Sequence, residues 1–594
     1  MLPTVFILVC CGVFLGDSAV HALQTNVGRE FIFGFAENYR PNADPSVIIT
    51  NMSPLDHENV TVTISTPVHG LLQTVHLQGL DSSKQITLPR ELVPYGESPD
   101  LSVIIVNADD DIAVYAINDA HDRSMDGFTV LPKRSLGTEY FVATYEPSLS
   151  SQMLFIATED DTVIRIQLSN HVVYKKVDVE PGRLITIDAS KYKVFLLESD
   201  KDLSGTKITS NKPLAVLSGN RCAFVPVGVL TCDHLAEMLP PFTQWGKTFV
   251  IMTFLGRSSG DIYRVIAGRD NTEVTVKSQT FILKEKEFRD FEILHGKTSL
   301  IQSDKPVLVI QYAKSFAADN VNGDPAMTIV PPMEQSVNLV KLPTYNTTKD
   351  LQAVENYVNI YAPCKEMYYS NLTLDGEVIR DIVSADRIVR VDRSDYCAVG
   401  FHIDHGMHIV APGPQGFESF VAIAYGFAQG NSYAWPAGLA TTQIVCEYVL
   451  PSSSIQYYDC RRGILEVHIP CNVTEVKTIE ECINIDCVSY DNLIFICAGV
   501  AVAAMILLKL FSYFVIGRTS LNKQQIAFGQ TALPLPPPPP EITIAAFETP
   551  SSPPPELIIR RDSLSPSMIP GSPMPSPNTR RTSRQERADR MRRK

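Results

Sequence analysis

The stretch HIDHGMH, His402 to His408, brings three imidazoles and a carboxylate together, a donor set that Zn²⁺ accepts. In a strand, however, His402, Asp404 and His408 share one face while His405 points to the other, and Asp-His-Gly reads as a hairpin turn. A polar turn is therefore preferred to a metal site. GRSSG, Gly256 to Gly260, matches the G-x-S-x-G pattern of hydrolases. That pattern needs a helix after its serine, and DIYRVIAG follows with the composition of a strand, so this too reads as a turn. Asp109 to Asp111, Glu159 to Asp161 and ADNVNGD, Ala318 to Asp324, hold carboxylates suited to Ca²⁺. None has the spaced loop that ends in a bidentate Glu, and turns between strands are rich in Asp and Asn anyway. No cofactor, metal or catalytic residue is required by these patterns, and the chain reads as a non-enzyme.

The two ends of the chain are unlike its middle. Residues 1–22 carry a short apolar run and a small-residue site ending at Ala22, the pattern of a secretory signal peptide. Residues 491–517 contain the apolar run Leu493 to Ile516, which would reach about 36 Å as a helix, enough to cross a bilayer. Acidic residues precede it, and Arg518 and Lys523 follow, which places the C-terminal side in the cytoplasm. The expectation is a type I single-pass protein of the plasma membrane. From Gly517 onward twelve Lys and Arg face six Asp and Glu, so the tail carries +6 and the chain's −14 leaves −20 for everything before it. An acidic exported part argues against nucleic acid as a partner.

Between the ends lies a repeat. VGREFIFGF, LGTEYFVAT and WGKTFVIMT begin near Gly28, Gly137 and Gly246, and those glycines are 109 residues apart both times. Each is followed by an alternating stretch. In ENVTVTIS, Val60, Val62 and Ile64 share one face and Thr61 and Thr63 the other, the period of a half-buried strand. ITSNKPLAVLSGN, Ile208 to Asn220, and IQSDKPVLVIQYA, Ile301 to Ala313, close the second and third copies. Their Lys-Pro reads as a turn before a buried strand, since proline gives no N–H to a ladder. The fold class expected is all-β, with tandem antiparallel β-sandwich-like repeats of about 110 residues; a β-propeller is the alternative. The units are set at 28–136, 137–245, 246–345 and a divergent 346–440, the last with strands NYVNIYAP, RIVRVD and SFVAIAYGF. A cysteine-containing stem (441–490) and a disordered, Pro-rich basic tail (518–594) complete the plan.

LGTEYFV, TCDHLAEMLPPFTQWGKTFV, RSSGDIYRVIAGRDNTEVTV, ADNVNGDPAMTIVPPMEQ and AYGFAQGNSYAWPAGL occur in that order. Together they resemble the amino-terminal domain of the IgGFc-binding protein family, over about Gly28 to Leu439. The resemblance implies an extracellular, non-enzymatic binding or adhesive module. It carries over no ligand-contacting residues.

Cys222 and Cys232 enclose a loop after the second copy's buried strand, and the matching stretch of the third copy has neither. They are expected to bond to each other, closing a loop worth about 3 kcal/mol in the chain-entropy model. Cys364 and Cys397 are the second expected pair. Five cysteines in the stem leave one over, which favours a disulfide-linked dimer. The sequons Asn51, Asn59, Asn346, Asn371 and Asn472 all fall on the exported side and are candidate glycosylation sites. In the tail, Pro534, Pro536, Pro537, Pro538, Pro539 and Pro540 should hold a polyproline II helix for SH3 or EVH1-type partners. Ser563 and Ser583 follow paired arginines as candidate phosphorylation sites. The function expected is a cell-surface recognition or adhesion protein whose ectodomain binds an extracellular protein or glycan. A mucus or matrix component released from the surface is the alternative, and an ectoenzyme comes last.

Overall fold

The computed structural model describes residues 26–440 apart from 42, 54–58, 68–69, 97–100, 121–123, 175–176, 347–352, 370–371, 384–386 and 414–418. It also describes the short strands Val445–Val449, Ile455–Asp459, Ile464–His468 and Glu556–Ile558. The signal segment, the apolar run Leu493 to Ile516, the proline run, Ser563, Ser583, Asn371, Asn472 and the stem cysteines lie outside the described side chains. Among the described residues no helix is long and apolar enough to cross a membrane.

Each unit is built around one long strand that serves two sheets. In unit one that spine is Ile104–Asp119. Its first half pairs with Asn59–Thr66 and Val27–Phe33, and its second half with Asp44–Asn51 and Met125–Val130. Leu71–Gln78 and Ser83–Thr87 close the two outer edges. Unit two repeats this scheme on Lys207–Ala223 and unit three on Thr298–Ala313. Unit two adds a small hairpin, Val172–Tyr174 with Val177–Val179, at one edge. Unit four keeps the order, but its spine is broken into Met407–Pro412 and Val421–Ala428. The architecture is therefore all-β and antiparallel, and among the described residues each unit is a pair of sheets sharing one strand, with no propeller blades. Alternation fixes the faces: Val60, Val62 and Ile64 are buried, while Thr61 and Thr63 are half-exposed.

The repeated Lys-Pro is not a turn. Pro213 and Pro306 sit inside continuous strands of 17 and 16 residues. They mark the bend at which the spine leaves one sheet and enters the other, where the ladder register shifts. A residue without an N–H costs nothing at a bulge. Where the ladder breaks, a side chain two residues before each proline supplies an acceptor to a neighbouring strand's N–H. Asn211 Oδ1 accepts the Val163 N–H at 2.7 Å, and Asp304 Oδ1 accepts that of Glu273 at 2.7 Å. In unit one Asp109 does the same for Thr61 at 2.8 Å.

Three further expectations are corrected. The strand Val340–Pro343, which spacing assigned to unit three, pairs with Met407–Pro412 and opens unit four. Of RIVRVD only Val389–Arg390 is strand. Asn51 is fully buried; its amide donates to Gly79 O at 2.9 Å and its oxygen accepts from Ser53, so a glycan has no room there. Asn59 is exposed and Asn346 half-exposed.

The repeat glycines have a steric reason. A Cβ added at Gly28, Gly137 or Gly246 would come within 2.7, 2.6 or 2.3 Å of the Cβ of Pro132, Pro241 or Pro332. Each proline opens the short 3₁₀ turn that follows the unit's last strand, so a glycine in the first strand lets that turn lie flat. Gly137→Ala should cost about 1–3 kcal/mol by overpacking and lower the melting temperature in scanning calorimetry by several degrees. An unchanged midpoint would remove this account of the spacing.

The four units share their cores around a ring. The unit one core takes in Leu154, Ile156 and Leu217 of unit two. The unit two core takes in Ile266, Ile310 and Tyr312 of unit three. Unit three shares Tyr361, Ile423 and Tyr425 of unit four, and unit four closes onto Ile48, Tyr115 and Ile117 of unit one.

Candidate binding surface and the joints that hold it

The last strands of the four units, Met125–Val130, Asp233–Met238, Ala326–Ile329 and Asn431–Pro436, meet one another in succession. Each pairs with only one strand of its own sheet, so each turns a free edge inward. A buried edge must satisfy its N–H groups. Here carboxylates do it. Asp126 Oδ2 accepts the N–H groups of Ala236 and Met327, both at 3.1 Å, and Oδ1 accepts that of Gly127 at 2.9 Å. The Ala434 N–H bonds the same carboxyl. One side chain therefore collects a backbone donor from every unit. Asp233 accepts the Met125 N–H at 3.1 Å, and Glu237 that of Ile329 at 3.1 Å. Thr129 donates to Pro436 O at 2.7 Å, and the Trp435 ring lies where a Cβ at Gly127 would be.

All three acids are buried. Burial pushes the pKa of Asp126, Asp233 and Glu237 well above the carboxylate range, with the backbone donors pulling the other way. Among the described residues Asp233 Oδ2 and Glu237 Oε1 have no hydrogen-bond partner within bonding geometry, a setting in which the neutral acid costs less than the carboxylate. His234, also buried, is driven down to about 4 by the same loss of water and sits 3.1 Å from the Asn118 amide.

The other chemistry-bearing motifs are also joints. Arg257 of GRSSG is buried, pairs with Asp319 at 2.9 Å and donates to Lys314 O and Ser315 O. Asp319 also accepts the Ser258 and Ser259 N–H groups; burial opposes its charge, but Arg257 and these donors hold it at about 2. This is a locked turn with no nucleophile elbow, and ADNVNGD supplies its anion. Asp324 of the same loop accepts from Phe316 N and from Thr231 of unit two. Asp110 and Asp111 pair with Arg29, Glu159 with Lys212, and Asp160 accepts the Lys191 N–H. Arg264 ties unit three to unit two through Asp202 at 2.6 Å while also holding Asp290 at 2.7 Å. His408 bonds Asp375 and the Asp404 carbonyl, and His402 lies exposed on its strand. Among the described residues no group of His, Cys, Asp and Glu is arranged to hold a metal. Asp126 is the residue that pattern reading missed, because a lone Asp in MDGFTV carries no motif.

What remains for a ligand is surface. Cys222 and Cys232 are bonded to each other, as are Cys364 and Cys397. The first bond clasps a loop whose Val225 exchanges hydrogen bonds with Ser315 of unit three, and whose tip leaves Val227 62 % and Leu230 70 % exposed. Leu149, itself exposed, donates its N–H to Cys222 O at 3.3 Å, and Arg221 lies 5.8 Å from the exposed Tyr95 ring. Three of the nine exposed large hydrophobics among the described residues, Val227, Leu230 and Leu149, thus lie on the clasped loop or are hydrogen-bonded to its cysteine. Single exposed apolar side chains are ordinary, but a cluster on a tied loop has the makings of an interface.

The human IgGFc-binding protein is 26 % identical over 368 residues, which is 60 % of this chain and 6 % of that protein. The chain therefore spans only a small part of the relative's length. Among solved structures, alpha-2-macroglobulins of Salmonella and Escherichia coli cover 75 % of this chain and 42 % and 44 % of their own, at 9 % and 8 % identity. Their TM-score of 0.12 is too low to carry an argument. The profile of the family described as IgGFc binding protein matches residues 126–426, from the hub carboxylate to the second half of the broken spine, and the chain belongs to that family.

Proposed function

We propose that the chain is a cell-surface recognition protein whose four-unit ring binds an extracellular protein through the clasped loop of unit two. The signal segment exports the ring, the stem and apolar run hold it at the plasma membrane, and the basic tail meets SH3 or EVH1-type partners inside. The observation that carries this reading is the division of labour among side chains. The buried acids and arginines of the quoted motifs are engaged in joints, while a cluster of apolar side chains is left exposed on a covalently tied loop. A tied loop loses little freedom on docking, so its apolar contacts are kept as affinity. The name of the human relative makes IgG Fc the first probe.

The test uses the full-length protein displayed on cells and a panel of extracellular proteins that includes Fc. Val227→Asp with Leu230→Asp should weaken capture on the order of tenfold or more, as loss of an interface centre does, while surface level and melting temperature stay as in the parent. Unchanged capture by the double variant would overturn the assignment.

A further inference from the structure

Units three and four enclose a second, different feature. An open groove of mixed polar and apolar lining with about 1010 Å³ of room runs between the hairpin that follows Thr272–Val276 and the turn that precedes Tyr396–Ile403. Room of that order suits a small-molecule or oligosaccharide ligand.

Both walls are held in unusual backbone. The hairpin tip is Lys277 and Ser278, with φ of 48° and 66°, and the facing turn carries Asp392 with φ of 50°. At Lys277 and Ser278 these are the angles of the two-residue hairpin turn between the paired Val276 and Gln279, and an Asp at the facing position tolerates the left-handed region, so both walls are tight turns. The turn is also braced. Asp392 Oδ2 accepts from Ser299 Oγ at 3.1 Å and Leu300 N at 3.0 Å across the unit boundary. The Cys364 N–H donates to Asp395 O at 2.6 Å, and Cys364 is bonded to Cys397, the neighbour of Tyr396.

The lining chooses a ligand class. Arg390 is occupied with Asp395 at 3.0 Å, but the exposed Arg393 has no hydrogen bond or ion pair among the described residues. The groove's other charged groups are engaged: Asp392 with Ser299 and Leu300, Asp395 with Arg390, and Lys277 with the Glu292 carbonyl, which leaves the Arg393 guanidinium as its unengaged charge. Its fork matches a carboxylate or a sulfate. The half-buried Tyr396 offers a ring for the C–H face of a sugar, and Gln302 and Ser278 offer amide and hydroxyl partners. None of the nine exposed large hydrophobics lines the groove, which is unlike the centre of a protein interface.

We propose that this groove binds an acidic saccharide, with Arg393 on the acid and Tyr396 beneath the ring. The site is separate from the clasped loop and stands or falls independently of it. The test titrates the full-length protein in detergent with 3′-sialyllactose, a sulfated lactose and neutral lactose, followed by calorimetry. At least one acidic sugar should bind on the order of tenfold tighter than lactose, the scale of one charge-assisted contact, and which one binds identifies carboxylate or sulfate as the source. Arg393→Ala should abolish that preference and Tyr396→Ala should weaken all binding, whereas Val227→Asp with Leu230→Asp should leave it intact. Because Arg393 is exposed, its variant should melt with the parent. Equal affinity for lactose, no binding of either acidic sugar, or an undiminished preference in Arg393→Ala would overturn the proposal.

Discussion

The Asp126→Ala protein is expected to fail to reach the cell surface. The substitution leaves the N–H groups of Gly127, Ala236, Met327 and Ala434 without their acceptor at the point where all four units meet. Each buried donor left unmade costs about 1–3 kcal/mol. The sum rivals the total stability of an ordinary domain, about 5–15 kcal/mol. The penalty cannot be relieved by water without parting the last strands. Asp126→Asn keeps one acceptor oxygen but turns an amide donor towards an N–H, so it should fall between parent and alanine. Surface staining and limited proteolysis of cells expressing the three proteins read this directly. Normal export and parental protease resistance of the alanine form would show that the carboxylate is not the pin.

Lowering the pH from about 8 to about 5 should raise the melting temperature, opposite to a protein held by ionised carboxylates. The groups responsible are Asp126, Asp233 and Glu237 in the hub, together with Asp324 and Asp261. Asp261 is pushed up to about 7 by burial, against hydrogen bonds from Phe254 and Gln311 and the charges of Arg257 and Lys314. An acid whose folded pKa lies above its unfolded value binds more protons when folded. Its stabilising effect is complete below the unfolded pKa and disappears as pH rises through the folded one. For Asp261 that window runs from 3.8 to about 7, worth about 4 kcal/mol if fully expressed.

The surrounding charges do not cancel this. Glu237 faces Asp126, and Asp233 faces Asp324 and Asp126, so like charges add to burial. Arg257 acts on Asp324 and Asp261. His234, held down to about 4, works in the other direction up to its ordinary value, but it is one group against several. Asp319 and Asp202 are held low by Arg257 and Arg264 despite burial, and lose their contribution only at more acid pH. Scanning calorimetry between about pH 5 and 8 should give a falling midpoint in the parent. Glu237→Gln and Asp261→Asn, neutral at every pH, should flatten it. A midpoint that climbs with pH, or slopes unaltered in both variants, would discard this reading of the hub.

The pattern of alternation and the equal spacing of Gly28, Gly137 and Gly246 made the strands and the repeat legible, because a sheet face and a tight glycine contact each constrain nearby residues. The cysteine pairs were legible for a similar reason: Cys222 with Cys232 occurs in one copy and in neither position of the next. The spine strands were not. Nothing local distinguishes a proline that ends a strand from one that bends it between two sheets, since both simply lack an N–H.

The candidate chemistry shows the same division. GRSSG, ADNVNGD and Glu159 to Asp161 were recognisable as turns, whereas Asp109 to Asp111, read in the same way, lie inside the spine strand Ile104–Asp119, and the partner of Arg257 is as far along the chain as Asp319. The sequence by itself determined that this is a repeated, exported-looking β chain without a catalytic pattern, because periodicity and composition act over a few residues. Only the tertiary structure decided that four free strand edges meet on Asp126 and that apolar side chains gather at one disulfide. Both depend on ring closure, which brings residue 126 beside residues 236, 327 and 434 and is written in no single segment.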